Sequence, residues 1–188
     1  MTTDMPLADK LYERLASFIP QVVTFDGEEW VPYGLNCCWR LSKYFPGDRF
    51  QRHCDTNFVR NKDEQSFLTV NAYMNGDFEG GRTRFYAGYH DEVAAVKGET
   101  GDCVLFLQPP VASLYHDGEE VSGGVKYLFR SDVMFRRAAA AAKSGADEVG
   151  SWPCLECTVA NSDRDWKCIM CGAVSPAAAA PPRPGAGL

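Results

Sequence analysis

Two groups of residues in this 188-residue chain have the types and spacing to hold metal. Cys154, Cys157, Cys168 and Cys171 read C-x2-C-x10-C-x2-C within SWPCLECTVANSDRDWKCIMCG. Two residues between cysteines let both sulfurs of a pair turn toward a centre about 2.3 Å away, so two such pairs can hold Zn(II) tetrahedrally. The segment is too short to bury an apolar core, so metal binding would have to supply its folding energy. The second group is drawn from only three histidines, His53, His90 and His116. His53-Cys54-Asp55 puts an imidazole and a carboxylate two apart on an expected strand, so both project from one face while Cys54 faces away. His116 ends another expected strand. Two histidines and a carboxylate form the facial triad of non-haem Fe(II) sites, which leaves coordination positions open for substrate and O₂. His90, in the turn-like string YAGYHDE, reads as a solvated loop histidine.

The elements that must position these groups follow from periodicity. Leu7, Leu11, Leu15 and Phe18 recur at helical spacing between Pro6 and Pro20, which predicts one amphipathic helix. From about Leu35 the pattern changes to short segments divided by turn signals. WRLSKYF, RFQRHCD, SFLTVNAYM, RTRFY, EVAAVK, DCVLFLQ, ASLYH and VKYLFRSDVMFRR are the expected strands, separated by strings such as PGD, NGDFEGG and HDGEEVSGG. Eight short strands after one helix indicate an all-β barrel or jelly roll with a supporting helix. Residues 138–150 read as an Ala/Gly linker and residues 174–188 as a disordered Pro/Ala tail. The expected domains are therefore residues 1–137 and the four-cysteine finger at 151–173.

The order of motifs in the first domain resembles the prolyl 4-hydroxylase-like branch of the Fe(II)/2-oxoglutarate dioxygenases. That family shows HxD, a Gly-Gly turn, a strand ending in a distal histidine, and V-x-x-G-x-K-[YW] with the lysine ten positions on. The chain carries His53 and Asp55, Gly80-Gly81 in FEGGRTRFY, LYH at His116, and Val121 to Tyr127 with Lys126. The resemblance covers roughly residues 35 to 136. It implies a mainly β double-stranded β-helix, or jelly roll, with iron bound by His53, Asp55 and His116. It further implies 2-oxoglutarate bound through its 5-carboxylate at Lys126, with Arg130, four residues on and facing the same way, as the alternative partner. Oxidative decarboxylation to succinate and CO₂ would be coupled to hydroxylation of a substrate, with room for ascorbate as an accessory reductant. Phe50 stands where many prolyl hydroxylases have a tyrosine that bonds the cosubstrate. Phenylalanine cannot make that bond, and Tyr73 could supply a hydroxyl instead or serve as a barrel-core aromatic. Arg82 and Arg84 could line a substrate entrance or form a solvated face. Compared with the family, little chain precedes the first helix, so an outer strand is expected to be missing and a barrel edge open.

Trp152 and Asn161 complete the string W-x-C-x2-C-x3-N-x6-C-x2-C, which resembles the zinc finger named after Ran-binding proteins. Members bind ubiquitin or single-stranded RNA. The ubiquitin binders carry Thr-Phe after the second cysteine and an apolar residue between the last two. Here the corresponding residues are Thr158, Val159 and Met170, so the apolar contact is kept with less aromatic area. The RNA binders want two arginines beside an aromatic. This finger has Arg164, Trp166 and Lys167 against three acidic residues, a poor phosphate-binding balance.

Net charge is −6, and the region up to Arg137 holds more acidic than basic residues, so neither a nucleic-acid nor a membrane surface is indicated there. The N-terminal residues contain no apolar run of signal-peptide or membrane-spanning length. With a thiolate zinc site and four further cysteines that form no evident disulfide framework, a cytoplasmic or nuclear setting is expected. Three function classes remain: an Fe(II) dioxygenase recruited by its finger to a protein partner, a catalytically silent barrel acting as a binding module, and a finger adaptor with the barrel as scaffold. An inactive barrel has no chemical need for His53, Asp55, His116 and Lys126 together, which favours the enzyme. The substrate itself, protein side chain such as proline or small molecule, is not written in the sequence.

Overall fold

The computed structural model describes residues 2–139, 151–153 and 160–162. The chain divides into two compact units, residues 1–140 and 141–188. In chain order the first unit comprises β1 (Thr2–Thr3), α1 (Met5–Leu15) with a 3₁₀ turn at Ala16–Phe18, β2 (Val23–Phe25), β3 (Glu28–Leu35), β4 (Cys38–Tyr44), β5 (Phe50–His53), β6 (Val59–Asn61) and β7 (Glu64–Tyr73). It continues with β8 (Glu79–Gly80), β9 (Thr83–Ala87), β10 (Asp91–Val96), β11 (Cys103–Leu107), β12 (Tyr115–Gly118), β13 (Val121–Gly123) and β14 (Lys126–Arg137). No helix among the described residues is long and apolar enough to cross a membrane.

Asp4 caps α1 by accepting the Leu7 N–H at 2.9 Å, and Pro6 occupies the first turn, where its missing N–H is no loss. Ala8 and Leu15 are buried and Leu7 and Leu11 pack beside them, as the spacing predicts. Phe18 departs from the expected stripe and is exposed. The helix tightens to 3₁₀ at Ala16, which turns Phe18 outward and gives its place to Ile19, buried at 3 % exposure.

All eight expected strands are present. The sequence reading missed a hairpin before them. β2 and β3 are joined by Asp26 and Gly27, both at positive φ (54° and 71°), the two-residue turn that matches strand twist. This hairpin matters because β14, the longest strand, pairs with β4 and then β3 along one side and with β7 along the other. β7 in turn pairs with β11 and β6. β14 is therefore an interior strand, while β4 beyond Trp39 has a neighbour on one side only among the described residues. A second sheet runs β10-β9-β12-β5. The two sheets form the jelly roll.

β14 separates two environments by alternation. One face carries Phe129, Val133 and Phe135 into the main core with α1, where Trp39 is fully buried and stacks on Phe129 at 4.3 Å between ring centroids. The other carries Lys126, Leu128, Arg130 and Asp132 toward the second sheet, which bears the histidines. In the second unit, β15 (Ser151–Pro153) and β16 (Ala160–Ser162) pair antiparallel, with Trp152 opposite Asn161. The four cysteines, Thr158, Val159 and Met170 lie outside the described residues.

Candidate metal centre

β5 and β12 are antiparallel neighbours with His53 opposite His116, so two imidazoles are delivered side by side from one sheet. Asp55, two residues beyond His53, returns to the same side. Among the described residues this is the one group with metal-holding composition, its ligand atoms lying within 4.8 Å of one another. Both histidines use Nδ1–H to donate to a backbone carbonyl, Gln51 O at 2.8 Å for His53 and Leu114 O at 3.1 Å for His116. A carbonyl can only accept, so Nδ1 carries a proton in each ring, and Nε2 is the nitrogen left to bind a metal once it has no proton of its own. Nε2 of His53 lies 3.4 Å from Asp55 Oδ1, and Nε2 of His116 lies 3.7 Å from Asp55 Oδ2. Donors held about 2.1 Å from a cation in adjacent octahedral positions are about 3 Å apart, so this spacing fits a shared divalent ion with small adjustment.

The electrostatics suit a cation. Burial opposes the charge on Asp55, but His53, the Arg130 guanidinium at 2.9 Å and the Thr69 hydroxyl at 2.5 Å outweigh it and bring the carboxyl down to about 2. His53 is raised by its hydrogen bond to Asp55, whereas burial lowers His116. Phenyl rings close the wall: Phe50 meets His53 edge-on at 4.7 Å, and Phe106 meets His116 at 4.6 Å.

The same pocket, about 210 Å³, extends along β14 to Lys126. Lys126 is 4 % exposed, donates from Nζ to Gly81 O at 2.7 Å, and lies 5.3–5.8 Å from the ring centres of Tyr73, Tyr44 and Phe78. Burial pushes the ammonium down to about 8. Gly80 and Gly81 sit at φ +66° and +62°, and the turn they make aims the Gly81 carbonyl at that ammonium. Arg130 is four residues along the strand, about 13 Å of backbone. It lies at the Asp55 end, so the two cations occupy opposite ends of the pocket.

Of its two expected places, pocket hydroxyl or barrel-core aromatic, Tyr73 takes the second. Its ring is buried with Phe78 and Leu128, and its OH bonds Thr83 Oγ1 at 2.6 Å; Thr83 is the residue that lines the pocket. Other residues not anticipated from sequence are Thr69 on Asp55, and Asn71 and Arg40, which flank Arg130 in register and line the pocket. Their only signal is polarity at inward positions of otherwise apolar strands. The Asn71 Oδ1 and Arg130 Nε atoms are buried without a hydrogen-bond partner, as expected of groups that face a ligand. His90 is exposed, as expected. Arg82 pairs with Glu119 at 2.7 Å, and Arg84 grips Asp117 through Nε and Nη2. Arg84 also lines a second cleft of about 370 Å³, which shares Phe50, Asp117, Gly118 and Glu119 with the first pocket.

Residues 39–131 match the 2OG-Fe(II) oxygenase superfamily, and residues 149–177 match the zinc finger in Ran-binding protein and others. Among solved structures, a Pseudomonas putida prolyl-4-hydroxylase is similar at 20 % identity and TM-score 0.40, over 53 % of this chain and 51 % of that one. The 2OG complex of the viral collagen prolyl hydroxylase of Paramecium bursaria Chlorella virus-1 is similar at 21 % identity and TM-score 0.45, over 68 % and 69 %. An oxidoreductase of the 2OG-Fe(II) oxygenase family from Burkholderia pseudomallei follows at 11 % identity and TM-score 0.41, over 57 % and 44 %. The chain thus spans about half the length of the first of these. No curated protein sequence matches it.

Proposed function

We propose that this chain, whose residues 39–131 form a domain of the 2OG-Fe(II) oxygenase superfamily, is a dioxygenase that couples decarboxylation of 2-oxoglutarate to hydroxylation of a substrate. One observation carries the reading: two Nε2 atoms and a carboxylate converge at one end of a pocket whose other end holds a buried ammonium. His53, Asp55 and His116 would hold Fe(II), which when bound supplies the one-electron and O₂ chemistry that side chains lack. Lys126 would take the 5-carboxylate, with Thr83 as the neighbouring hydroxyl and Leu128 along the carbon chain. Arg130 and Asn71 offer N–H groups to the 1-carboxylate end, provided the Asn71 amide turns its nitrogen to the pocket. Phe50 and Phe106 limit water beside the histidines.

The second cleft meets this pocket beside Phe50, which supports a substrate that reaches the pocket along it, such as a proline side chain of a protein. Anaerobic loading with Fe(II) and 2-oxoglutarate followed by O₂ should release succinate. No succinate above the His116→Ala background would leave a silent barrel.

The zinc finger is read as the recruiting element, with Thr158, Val159 and Met170 as the ubiquitin-facing surface. A heteronuclear NMR titration tests it. Absence of shifts at these three residues with millimolar ubiquitin would remove that partner and leave RNA or another protein.

A further inference from the structure

Behind the carboxylate of Asp55 lies a closed circuit of polar groups, of which the buried Thr69, Gln108 and Asp132 have no direct use in the proposed chemistry. Thr69 Oγ1 donates to Asp55 Oδ2 at 2.5 Å, and Gln108 Nε2 donates both to Thr69 Oγ1 at 2.8 Å and to Asp132 Oδ1 at 2.6 Å. The Arg130 guanidinium completes the circuit, 3.7 Å from Asp132 Oδ1 and 2.9 Å from Asp55 Oδ1. Thr69 and Gln108 are fully buried. The members come from β7, the residue after β11, β14 and the residues after β5, so they meet only in the folded state.

The hydrogen bonds of the circuit share one self-consistent set of directions with Asp132 as a carboxylate. The Phe58 N–H donates to Ser66 Oγ, and the Ser66 hydroxyl donates to Gln108 Oε1 at 2.8 Å. That fixes the amide: its oxygen accepts from Ser66, and both hydrogens of Nε2 are given to Thr69 and Asp132. Turning the amide over would set Oε1 against the Asp132 carboxylate. Thr69, already accepting from Gln108, has its own proton left for Asp55. One oxygen of Asp55 is therefore tied to Thr69 and the other to Arg130, which leaves the carboxylate no free rotation about its Cβ–Cγ bond.

We propose that Thr69, Gln108, Asp132 and Arg130 are positioning residues that fix the rotation of Asp55 and so set its reach toward His53 and His116. The proposal rests on the reading that Asp55 is a metal ligand. Outer partners of this kind typically change metal affinity 10- to 100-fold. The test is Mn(II) affinity measured by electron paramagnetic resonance on the full zinc-loaded chain, since Mn(II) prefers oxygen and nitrogen donors over the thiolates of the finger. Thr69→Val, of matching shape but without the donor, should weaken Mn(II) at least about 10-fold, and Thr69→Ser should restore it. Gln108→Leu should weaken it comparably, and the double variant Thr69→Val/Gln108→Leu should lose less than the two single losses combined, because Gln108 acts on Asp55 in part through Thr69. Thr69→Val within twofold of the parent chain, or losses that add, would overturn the proposal. Should Gln108→Leu fail to fold, the Thr69→Val and Thr69→Ser pair decides alone. Mn(II) binding indifferent to Asp55→Ala would instead remove the metal-ligand reading beneath it.

Discussion

Replacing Lys126 by methionine sets two consequences of burying a cation against each other. The ammonium is 4 % exposed, and its descent from 10.5 to about 8 corresponds to roughly 3 kcal/mol at about 1.4 kcal/mol per pH unit. Because the folded-state value lies below the unfolded one, this penalty is fully present below about pH 8. It fades as pH rises toward 10.5, where both states are neutral. Methionine keeps the length and removes the charge, relieving the penalty at pH 7. Against that, the Gly81 carbonyl loses its 2.7 Å partner, which costs about 1–3 kcal/mol. The net expectation is a folded state as stable as the parent or up to about 2 kcal/mol more stable. Binding should move the other way. Removing one member of a buried, hydrogen-bonded charge pair costs about 2–5 kcal/mol, roughly 30-fold to several thousand-fold in Kd for 2-oxoglutarate. Urea denaturation at pH 7 gives the first quantity, and calorimetric titration of 2-oxoglutarate into the Mn(II)-loaded, zinc-loaded chain gives the second. A variant destabilised by more than about 2 kcal/mol would refute the claim that the ammonium is held at a cost. Affinity for 2-oxoglutarate within about threefold of the parent would refute its assignment to the 5-carboxylate.

The same lysine sets a pH limit. kcat/KM for 2-oxoglutarate reports the free enzyme, so it should fall as pH rises through about 8 while kcat changes less, read from succinate release across pH 6.5 to 9.5. Trp39→Ala should cost about 3–5 kcal/mol, lowering Tm by roughly 10 °C, because the indole is fully buried, stacks on Phe129 and donates to the Asp4 carbonyl that begins α1. Thermal denaturation followed by circular dichroism measures this. Gly98→Ala should disturb the pocket more than its loop position suggests, since the added methyl would stand 2.2 Å from the Tyr73 ring. A rise in KM for 2-oxoglutarate, through displacement of Tyr73 and Thr83, is the expected readout.

The residues proposed to hold a metal were legible because strand periodicity is local: His53 and Asp55 share a face whatever the rest of the chain does, and histidines are few. Lys126 was legible for the same reason, at a fixed distance along the chain from His116. The circuit behind Asp55 was not. Thr69, Gln108 and Asp132 are ordinary polar residues within or beside apolar strands, and nothing in SFLTVNAYM or VLFLQ joins them. Their meeting depends on β7 pairing with both β11 and β14, which places Asp132 opposite Thr69. The β2–β3 hairpin was a different kind of omission. Asp26-Gly27 carries a local turn signal, but β3 bears both Pro32 and Gly34, which argue against a strand. Burial of Trp30 and pairing with β14 override that preference.

β14 explains why these parts form one site. Its face toward the second sheet presents Lys126, Leu128, Arg130 and Asp132, three charges on an inward strand face, and each charge would be costly alone. Arg130 and Asp132 are compensated within the protein, by Asp55 and by Gln108. Lys126 has one carbonyl and three rings, and no carboxylate within ion-pair distance among the described residues. The uncompensated cation therefore lies at the end where a carboxylate would dock, and the anionic Asp55 at the end where a metal would. A divalent cation and a dicarboxylate dianion entering together add no net charge to the pocket, whereas either alone leaves an imbalance in a medium of low dielectric. In the proposed function, the metal and the cosubstrate should for that reason each favour binding of the other.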